Sequence, residues 1–249
     1  MIEYLEHHIV DHCNLKCNGC SHFSGLAEPW FEDINDFIND FSALKNVTGG
    51  RVGTIRIMGG EPLLHPDVCS FLIVVRQLFP NSEIQIVTNG ILLNRVYNLS
   101  NICNNYGIIV CTSDYGFGDK IREYLVNFRY IRIDNKNNMY NISLDLLGNQ
   151  NKIESFEICD LHKYKWYFFQ HGKLYHCCIG ANIQTYNKYF KRSLPVPDGI
   201  SVYNHTEKEI IEYLNSPIDL CKYCNTKQRE SSYHQFCLSK GEESEWICH

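Results

Sequence analysis

The sequence predicts an α/β fold followed by a smaller C-terminal domain, and three observations support this. Along residues 1–135, short segments rich in β-branched residues alternate with segments whose apolar residues recur at helical spacing. Strands separated by helices of this length form βαβ units, which build a parallel sheet. After Ile133 the helical pattern fades into short strand-like pieces. We therefore predict one domain over residues 1–150 and a second over residues 151–249.

The elements of the first domain follow from alternation, β-branched residues and loop signals. The predicted strands are Glu3 to Val10, Thr54 to Met58, Glu83 to Thr88, Ile108 to Thr112 and Tyr130 to Ile133. The predicted helices are a segment entered at Pro29 with an apolar face from Phe31 to Leu44, Pro66 to Phe79, a segment ending at Tyr106, and Gly118 to Phe128. In such sheets the reactive loops follow the carboxyl ends of the strands, so we expect functional residues there.

Composition limits the classes of function. The 249 residues carry a formal charge of -5 without long runs of one sign, so the chain has no electrostatic footprint for nucleic acid or an anionic membrane. No basic segment followed by an apolar run begins the chain, and the longest apolar stretch, Phe71 to Val75, is far shorter than a membrane span. We therefore predict a soluble, cytoplasmic, unprocessed protein that acts on a small neutral or cationic molecule.

The thirteen cysteines are unevenly placed. Without a secretion signal, a metal or catalytic role is favoured over disulfides. Cys69, Cys103 and Cys111 stand singly inside predicted helices or strands, where we expect small buried apolar residues. The other ten lie near the N-terminus or beyond residue 158.

Three of them, Cys13, Cys17 and Cys20, form a C-x3-C-x2-C pattern directly after the first predicted strand. Three thiolates cannot close a tetrahedral metal site. On a four-iron, four-sulfur (4Fe–4S) cluster, they leave one iron without a protein ligand, where a small molecule can bind and react. The triplet therefore indicates an enzyme. Together with His22, the same cysteines can also form a structural zinc site, which keeps a non-catalytic metal-binding scaffold as an alternative.

A second motif, Gly59-Gly60-Glu61-Pro62, follows the second predicted strand. Its glycines let the backbone approach a ligand closely, and Glu61 offers a carboxylate to an ammonium group. A motif of four residues alone is more often a glycine turn with a solvated glutamate. Its place after a strand, in order behind the cysteine triplet, favours the binding role.

Together the two motifs resemble the signature of the radical S-adenosylmethionine (radical SAM) superfamily, and the resemblance covers about residues 1 to 135. It implies a partial (β/α)6 TIM-like barrel and a 4Fe–4S cluster on Cys13, Cys17 and Cys20. S-adenosylmethionine would bind at the open iron and be cleaved reductively to a 5′-deoxyadenosyl radical. The resemblance also implies an electron donor such as flavodoxin or ferredoxin.

The same resemblance implies which residues contact the cofactor. Family members bind it through loops that correspond here to Gly59, Gly60, Glu61, Pro62, Asn89, Ser113 and Asp114, and ordinary turn residues remain the alternative for Ser113 and Asp114. Many members carry an aromatic residue just before the third cysteine, against the adenine. This chain has Gly19 there, and Phe23 is expected to stack on the adenine instead.

A second set of cysteines lies in the C-terminal half: Cys159, Cys177, and the C-x2-C pair Cys221 and Cys224. A lone C-x2-C is typical of zinc or of a redox pair. Next to a radical SAM core, this set resembles the twitch domain, a short relative of the SPASM domain, which holds a second, auxiliary 4Fe–4S cluster. The longer SPASM pattern would need further cysteines soon after Cys224, and the sequence has none there.

The segments around these cysteines fit that layout. Trp166 to Gln170 and Lys173 to Tyr175 are expected to pair as a hairpin, and Thr206 to Leu214 as a helix with a capping box of Thr206 and Glu209. Cys178 competes with Cys177 as a ligand, and the spacing from Gly172 favours Cys177. Cys237 and Cys248 stay unassigned as free thiols, a replacement ligand or a C-terminal clasp.

The resemblance extends to a reaction. The cluster layout is similar to that of the 2-deoxy-scyllo-inosamine dehydrogenases, which implies oxidation of a secondary alcohol with the auxiliary cluster as electron acceptor. Those enzymes use an arginine before the auxiliary cluster, but no arginine lies between Asp134 and Cys159. No catalytic base is therefore assigned.

Substrate and outcome stay open between several alternatives. The run from Cys20 to Ser24 is similar to that of radical enzymes of glycan pathways, which indicates a small, sugar-like substrate. Epimerisation is an alternative to oxidation, and modification of a ribosomal peptide, by epimerisation or crosslinking, is a further one. In an epimerisation, Cys237 or Cys248 can return a hydrogen atom.

Overall fold

An eight-stranded sheet forms the centre of the computed structural model, which describes residues 2–135, 138–140, 142–231 and 233–248. Its first five strands lie side by side in sequence order and run parallel: β1 (Ile2–Val10), β2 (Val52–Gly59), β3 (Glu83–Thr88), β4 (Ile109–Asp114) and β5 (Ile131–Asn135). The helices between them are α1 (Ile34–Thr48), α2 (Val68–Leu78), α3 (Leu99–Tyr106) and α4 (Gly118–Leu125). The predicted alternation of strands and helices is confirmed.

The sixth parallel strand comes from the C-terminal half of the chain. β7 (Trp166–Gln170) pairs with β1, with Tyr4 opposite Trp166 and His7 opposite Phe169. The strand order is therefore β5-β4-β3-β2-β1-β7, with β8 (Lys173–Tyr175) and β9 (Ile200–Ser201) added antiparallel beyond β7. The fold is the predicted partial barrel, and its sixth strand lies beside the first. The division into domains at residue 150 stays a prediction.

The C-terminal half adds short elements around this sheet. Its helices are α5 (Lys152–Glu157), α6 (Asp160–Lys163), α7 (Cys178–Phe190), α8 (Glu207–Leu214) and α9 (Thr226–Ser231), and β6 (Asn138–Tyr140) pairs antiparallel with β10 (Tyr233–Gln235). The hairpin of β7 and β8 forms as predicted, with His171 and Gly172 in the left-handed region at its turn. The predicted capping box of Thr206 and Glu209 is also present.

The first helix begins later than predicted. Asp33 caps α1, because its side chain accepts hydrogen bonds from the amides of Asn35 and Asp36. Phe31 forms an antiparallel bridge with Val10 instead of joining the helix. The apolar pattern that begins at Phe31 therefore combines a residue of the loop with the buried face of the helix.

The two faces of the sheet carry different side chains. On β1, Leu5 and Ile9 point into the main core, where they pack with the apolar faces of α1 and α2. Glu6, between them, lines a cavity on the other face. Because side chains alternate along a strand, the same division holds on β2, where Ile55 and Ile57 are in the core and Arg56 lines the cavity.

A second apolar cluster joins the C-terminal half to the loop after β1. Phe23 of that loop packs in it with Phe168, Tyr186 and Trp246. In the described part of the chain, every helix is too short or too polar to cross a membrane.

Gly59 and Gly60, at the end of β2, must be glycines because the backbone of the segment that ends β1 passes very close to them. A Cβ at Gly59 would lie 2.1 Å from the carbonyl oxygen of Val10. We expect Gly59→Ala to lower the free energy of unfolding by about 2–4 kcal/mol, since the clash is with backbone that cannot rotate away. Urea unfolding followed by circular dichroism measures this. Gly25→Ala, where the nearest atom is 3.4 Å away, is the control, and an equal loss in both variants would contradict the explanation.

Candidate active site

A cavity of about 560 Å³ opens on the inner face of the sheet. The triplet Cys13, Cys17 and Cys20 lines one side of it, and polar residues of β1, β2 and the C-terminal half line the rest. The loop that carries the triplet follows the carboxyl end of β1, as the sequence predicted. The cavity therefore brings the predicted cluster ligands and a set of polar side chains into one space.

The cysteine loop is held by hydrogen bonds to its neighbours. The Sγ of Cys13 accepts from the amide of Leu15 at 3.3 Å, and the side-chain amide of Asn89 donates to Asn14 at 2.7 Å. Gly19 adopts a φ of 64°, the left-handed region that favours glycine. This explains why glycine, and not an aromatic residue, stands before the third cysteine in this chain.

The thiols of the triplet fit an iron–sulfur cluster better than a single zinc ion. In the portion of the chain that the structure describes, their sulfur atoms do not all lie within 4.8 Å of one another. Tetrahedral zinc with Zn–S bonds of about 2.3 Å needs sulfur atoms about 3.8 Å apart. The alternative zinc site also requires His22, which contacts Cys20 of the triplet but forms its compact group of possible ligands with Glu6 and Cys178.

Burial and the neighbouring groups set the pKa values of these thiols in different directions. Burial raises the pKa of Cys13 to about 12, and it also raises the pKa of Cys17. Burial alone would raise the pKa of Cys20, but the hydrogen bond and charge of His22 outweigh it and lower that pKa. Two thiols that resist ionisation so strongly are the kind that a bound metal converts to thiolates.

Glu61 is not among the residues that line the cavity, and the pairing of its carboxylate with the cofactor's ammonium group stays a prediction. The side chain is fully buried and accepts hydrogen bonds from the amide of Leu63 at 3.0 Å, the hydroxyl of Thr88 at 2.7 Å and the amide of Asn89 at 2.8 Å. Burial raises its pKa to about 7. Glu61 therefore fixes the end of β3 against the loop after β2.

The other predicted cofactor residues divide into two groups. Gly59, Gly60, Asn89 and Ser113 line the cavity. Three others do not: Pro62 is buried in a short 3-10 turn, Asp114 accepts a hydrogen bond from the amide of Gly116, and Phe23 is fully buried in the second apolar cluster. Phe23 packs on Tyr186 at a centroid distance of 5.4 Å, and its stacking on adenine stays a prediction.

Tyr115 is a cavity residue that sequence reasoning missed. It follows β4, lines the cavity beside the triplet, and packs on Phe236 with ring centroids 4.7 Å apart. Burial, with the nearby thiols of Cys17 and Cys20, raises the pKa of its hydroxyl. Its position at the carboxyl end of a strand, two residues after Ser113, was the signal that could have identified it.

Part of the cavity wall, called here the polar floor, is formed by five side chains: Glu6, Arg56, Trp166, His22 and Cys178. Arg56 donates to one carboxylate oxygen of Glu6 at 3.1 Å, and His22 lies 3.2 Å from the other. Burial alone would raise the pKa of Glu6, but His22 and Arg56 lower it to about 2. Glu6 is therefore ionised at neutral pH although it is 5% exposed.

Two donors of this floor have no partner among the residues that the structure describes. They are the Nε of Arg56 and the Nε1 of Trp166. The guanidinium of Arg56 also lies over the Trp166 ring at 4.8 Å. Because buried donors are normally satisfied, these two N–H groups are available to hydroxyl or carbonyl oxygens of a bound molecule.

The second set of cysteines gathers on the C-terminal side of the cavity. Cys159 caps α6, Cys177 caps α7, and Cys221 and Cys224 lie in and after the 3-10 turn at Asp219–Tyr223. Burial raises the pKa of Cys224 to about 12, and the neighbouring thiols of Cys221 and Cys159 add to it. The four thiols are partly buried and lie near one another, and such a set of donors suits a metal cluster.

Cys177 and Cys178 are adjacent but differ in their access to the cavity. Burial raises the pKa of Cys177, and the thiols of Cys178, Cys224 and Cys159 add to it; the thiol of Cys178 likewise adds to the raised pKa of Cys224. Cys178 lines the cavity and groups with Glu6 and His22. Arg229 donates to the Sγ of Cys159 at 3.3 Å and also lines the cavity, which places a cation between the second set and the polar floor.

The C-terminal segment closes over the cysteine loop through its backbone. The amide of Asn18 donates to the carbonyl of Cys237 at 3.0 Å, and the amide of Ser239 donates to that of Lys16 at 2.8 Å. The indole of Trp246 donates to the carbonyl of Cys20 at 3.0 Å. Neither Cys237 nor Cys248 lines the cavity.

Comparison with known proteins gives matches to the N-terminal part of the chain and to the fold. Residues 8–123 match the family model of the Radical SAM superfamily. Curated relatives named GTP 3′,8-cyclase match at 31% identity over 94 residues (Alkaliphilus oremlandii) and 34% over 93 residues (Moorella thermoacetica). These matches cover 38% and 37% of this chain and only 29% and 28% of the relatives.

A solved structure agrees over nearly the whole chain. The structure of BtrN in complex with AdoMet and 2-DOIA superposes with a TM-score of 0.57 at 15% identity, covering 94% of this chain and 99% of that one. At this identity the likeness concerns the fold, which includes the C-terminal half as well as the matched N-terminal domain.

Proposed function

We propose that this chain, whose residues 8–123 match the family model of the Radical SAM superfamily, removes a hydrogen atom from a small, sugar-like molecule bound in the cavity. The observation that carries the proposal is the shared cavity. The thiols of Cys13, Cys17 and Cys20 line the same space as the polar floor. When bound there, the 4Fe–4S cluster and S-adenosylmethionine supply the 5′-deoxyadenosyl radical that takes the hydrogen atom.

In this proposal, different cavity residues bind the cluster and the cofactor. Cys13, Cys17 and Cys20 hold the cluster, while Gly59, Gly60, Asn89, Ser113 and Tyr115, which line the cavity near it, surround the cofactor. The backbone of Gly59 and Gly60 shares the role first expected of the Glu61 carboxylate, since that carboxylate already accepts three hydrogen bonds inside the protein.

The polar floor supports a polyhydroxylated or amino-substituted substrate. The free N–H groups of Arg56 and Trp166 donate to substrate oxygens, and the ionised carboxylate of Glu6 accepts from hydroxyl or ammonium groups. These groups carry charges of both signs within hydrogen-bond distance of one another. Such a floor suits a neutral molecule rich in hydroxyl groups better than an apolar one.

The second set of cysteines supports an auxiliary 4Fe–4S cluster on Cys159, Cys177, Cys221 and Cys224. Arg229 beside Cys159 offsets the negative charge that thiolate ligands bring. Such a cluster would exchange one electron with a substrate radical in the cavity. This serves a dehydrogenation, in which the substrate loses two electrons, and it equally serves an epimerisation, in which the substrate keeps them.

Anaerobic reconstitution tests the proposal. We expect about eight irons per chain, since each 4Fe–4S cluster holds four, and release of 5′-deoxyadenosine when the protein is reduced with S-adenosylmethionine. About four irons would remove the auxiliary cluster. A loaded protein that releases no deoxyadenosine would contradict the proposed activity and favour a non-catalytic scaffold.

A further inference from the structure

One thiol in the cavity has no role in the proposed function. Cys178 is the first residue of α7, is 6% exposed, and lines the cavity, whereas its neighbour Cys177 does not line it. The Sγ of Cys178, a ring nitrogen of His22 and a carboxylate oxygen of Glu6 all lie within 4.8 Å of one another. A thiol, an imidazole and a carboxylate therefore meet on the floor on which the substrate is proposed to bind.

We propose that Cys178 is the catalytic residue that returns a hydrogen atom to the substrate carbon, which makes the reaction an inversion of configuration at that carbon. This inference rests on the proposed function, because it needs a substrate radical formed in the cavity. An S–H bond is weaker than the C–H bond of a carbon that bears a hydroxyl group. Hydrogen transfer from the thiol to the carbon radical is therefore downhill.

The step balances without any oxidation of the substrate. The first hydrogen atom leaves the carbon and ends in 5′-deoxyadenosine. The carbon radical then takes a hydrogen atom from Cys178, so that a C–H bond forms, the S–H bond breaks, and a thiyl radical remains. One electron from a donor of the flavodoxin or ferredoxin class and one proton from solvent restore the thiol.

The surroundings of Cys178 favour this role over that of a metal ligand. The guanidinium of Arg56 donates a hydrogen bond to one carboxylate oxygen of Glu6 at 3.1 Å. A cation bound between Glu6, His22 and Cys178 would therefore lie beside a fixed positive charge, which repels it. His22 lies 3.2 Å from the other carboxylate oxygen, so neither oxygen of Glu6 is left without a partner for such a cation. Within the described residues, the cysteines that line the cavity are the triplet and Cys178.

The first test counts iron and does not depend on turnover. Cys178→Ser keeps nearly the volume of the side chain, and its O–H bond is too strong to donate a hydrogen atom. We expect this variant to bind as much iron as the wild type after reconstitution, whereas Cys177→Ser binds less. A loss of iron in Cys178→Ser would overturn the inference, because Cys178 would then be a cluster ligand.

The second test follows hydrogen itself and needs no substrate. In D2O the thiol of Cys178 exchanges to S–D, so reductive cleavage of S-adenosylmethionine alone by the loaded wild-type protein should give deuterium-labelled 5′-deoxyadenosine. Cys178→Ser and Cys178→Ala should lose the label, while Cys69→Ala, which removes a half-buried thiol outside the cavity, should keep it. Mass spectrometry reads the label.

The outcomes separate the two proposals. Label that persists in both Cys178 variants, or that is missing from the wild type, overturns the role of Cys178 and leaves the proposed function standing. A wild-type protein that makes no deoxyadenosine overturns both.

Discussion

Cys17→Ala should abolish the cleavage of S-adenosylmethionine while the protein stays folded. Cys17 lines the cavity, and its backbone is held independently of its thiol by a bridge to Leu238. Loss of groups that only support a metal ligand typically reduces affinity or activity 10–100-fold, so we expect loss of the ligand itself to exceed about a hundredfold. The measurements are 5′-deoxyadenosine release under reduction and iron per chain, which should fall by about four.

Cys103→Ala is the matched control. Its thiol is also buried, at 1% exposure, but lies in the main core on α3, away from the cavity. This variant should lose no more than a modest part of its stability and none of its iron. Deoxyadenosine release by Cys17→Ala at the wild-type rate would contradict the assignment of the triplet to the cluster.

The sequence predicted the sheet and the place of the site because both depend on local patterns. Alternation along β1 and helical spacing in α1 identify which faces are buried, and short crossovers make neighbouring strands parallel. Once the strands are parallel, the loop of Cys13 and that of Gly59 must meet at one edge. The likeness of residues 8–123 to the Radical SAM model agrees with this.

The roles of individual side chains depend on contacts between distant segments, and the sequence predicts such contacts less well than it predicts strands and helices. Glu61 was expected in the cavity, but Thr88 and Asn89 of the next strand take its carboxylate. Phe23 was expected on the adenine, but Trp246, more than two hundred residues later, packs against it in the second cluster. No local pattern reveals such partners, because they are fixed only when the C-terminal half folds over the loop.

The polar floor shows the same limit of sequence-based prediction, because here residues that were not expected to meet come together. Glu6 is an ordinary residue of an alternating strand, and Cys178 was considered only as a competitor of Cys177. Their meeting with His22 follows from the parallel pairing of β7 with β1, which brings the hairpin and the start of α7 beside the first strand. This pairing joins residues 162 positions apart, and no spacing rule in the sequence predicts it.

Trp246→Ala should be the most destabilising single substitution in the C-terminal half. The side chain is 1% exposed, packs with Phe190 at a centroid distance of 5.7 Å, and donates from its indole to the carbonyl of Cys20 at 3.0 Å. Removal of a buried Trp lowers the free energy of unfolding by about 3–5 kcal/mol through lost burial and the cavity left behind. The loop of the triplet loses a support in the same change, so we also expect faster loss of iron from the loaded protein.

Trp246→Phe separates packing from the hydrogen bond. Phenylalanine keeps most of the apolar contact but cannot donate to Cys20, so it should lower the free energy of unfolding by about 1–2 kcal/mol. Tyr97→Ala, at a side chain that is 93% exposed, should change it by less than about 0.5 kcal/mol. Urea unfolding followed by circular dichroism gives the three values, and timed iron release to a chelator reports on the loop.

The rate of iron release separates the two contributions of Trp246. If Trp246→Phe releases iron as slowly as the wild type while Trp246→Ala releases it fast, packing alone holds the loop. Equal, fast release from both variants would assign that role to the hydrogen bond. Slow release from both would show that the C-terminal segment does not support the cluster ligands at all.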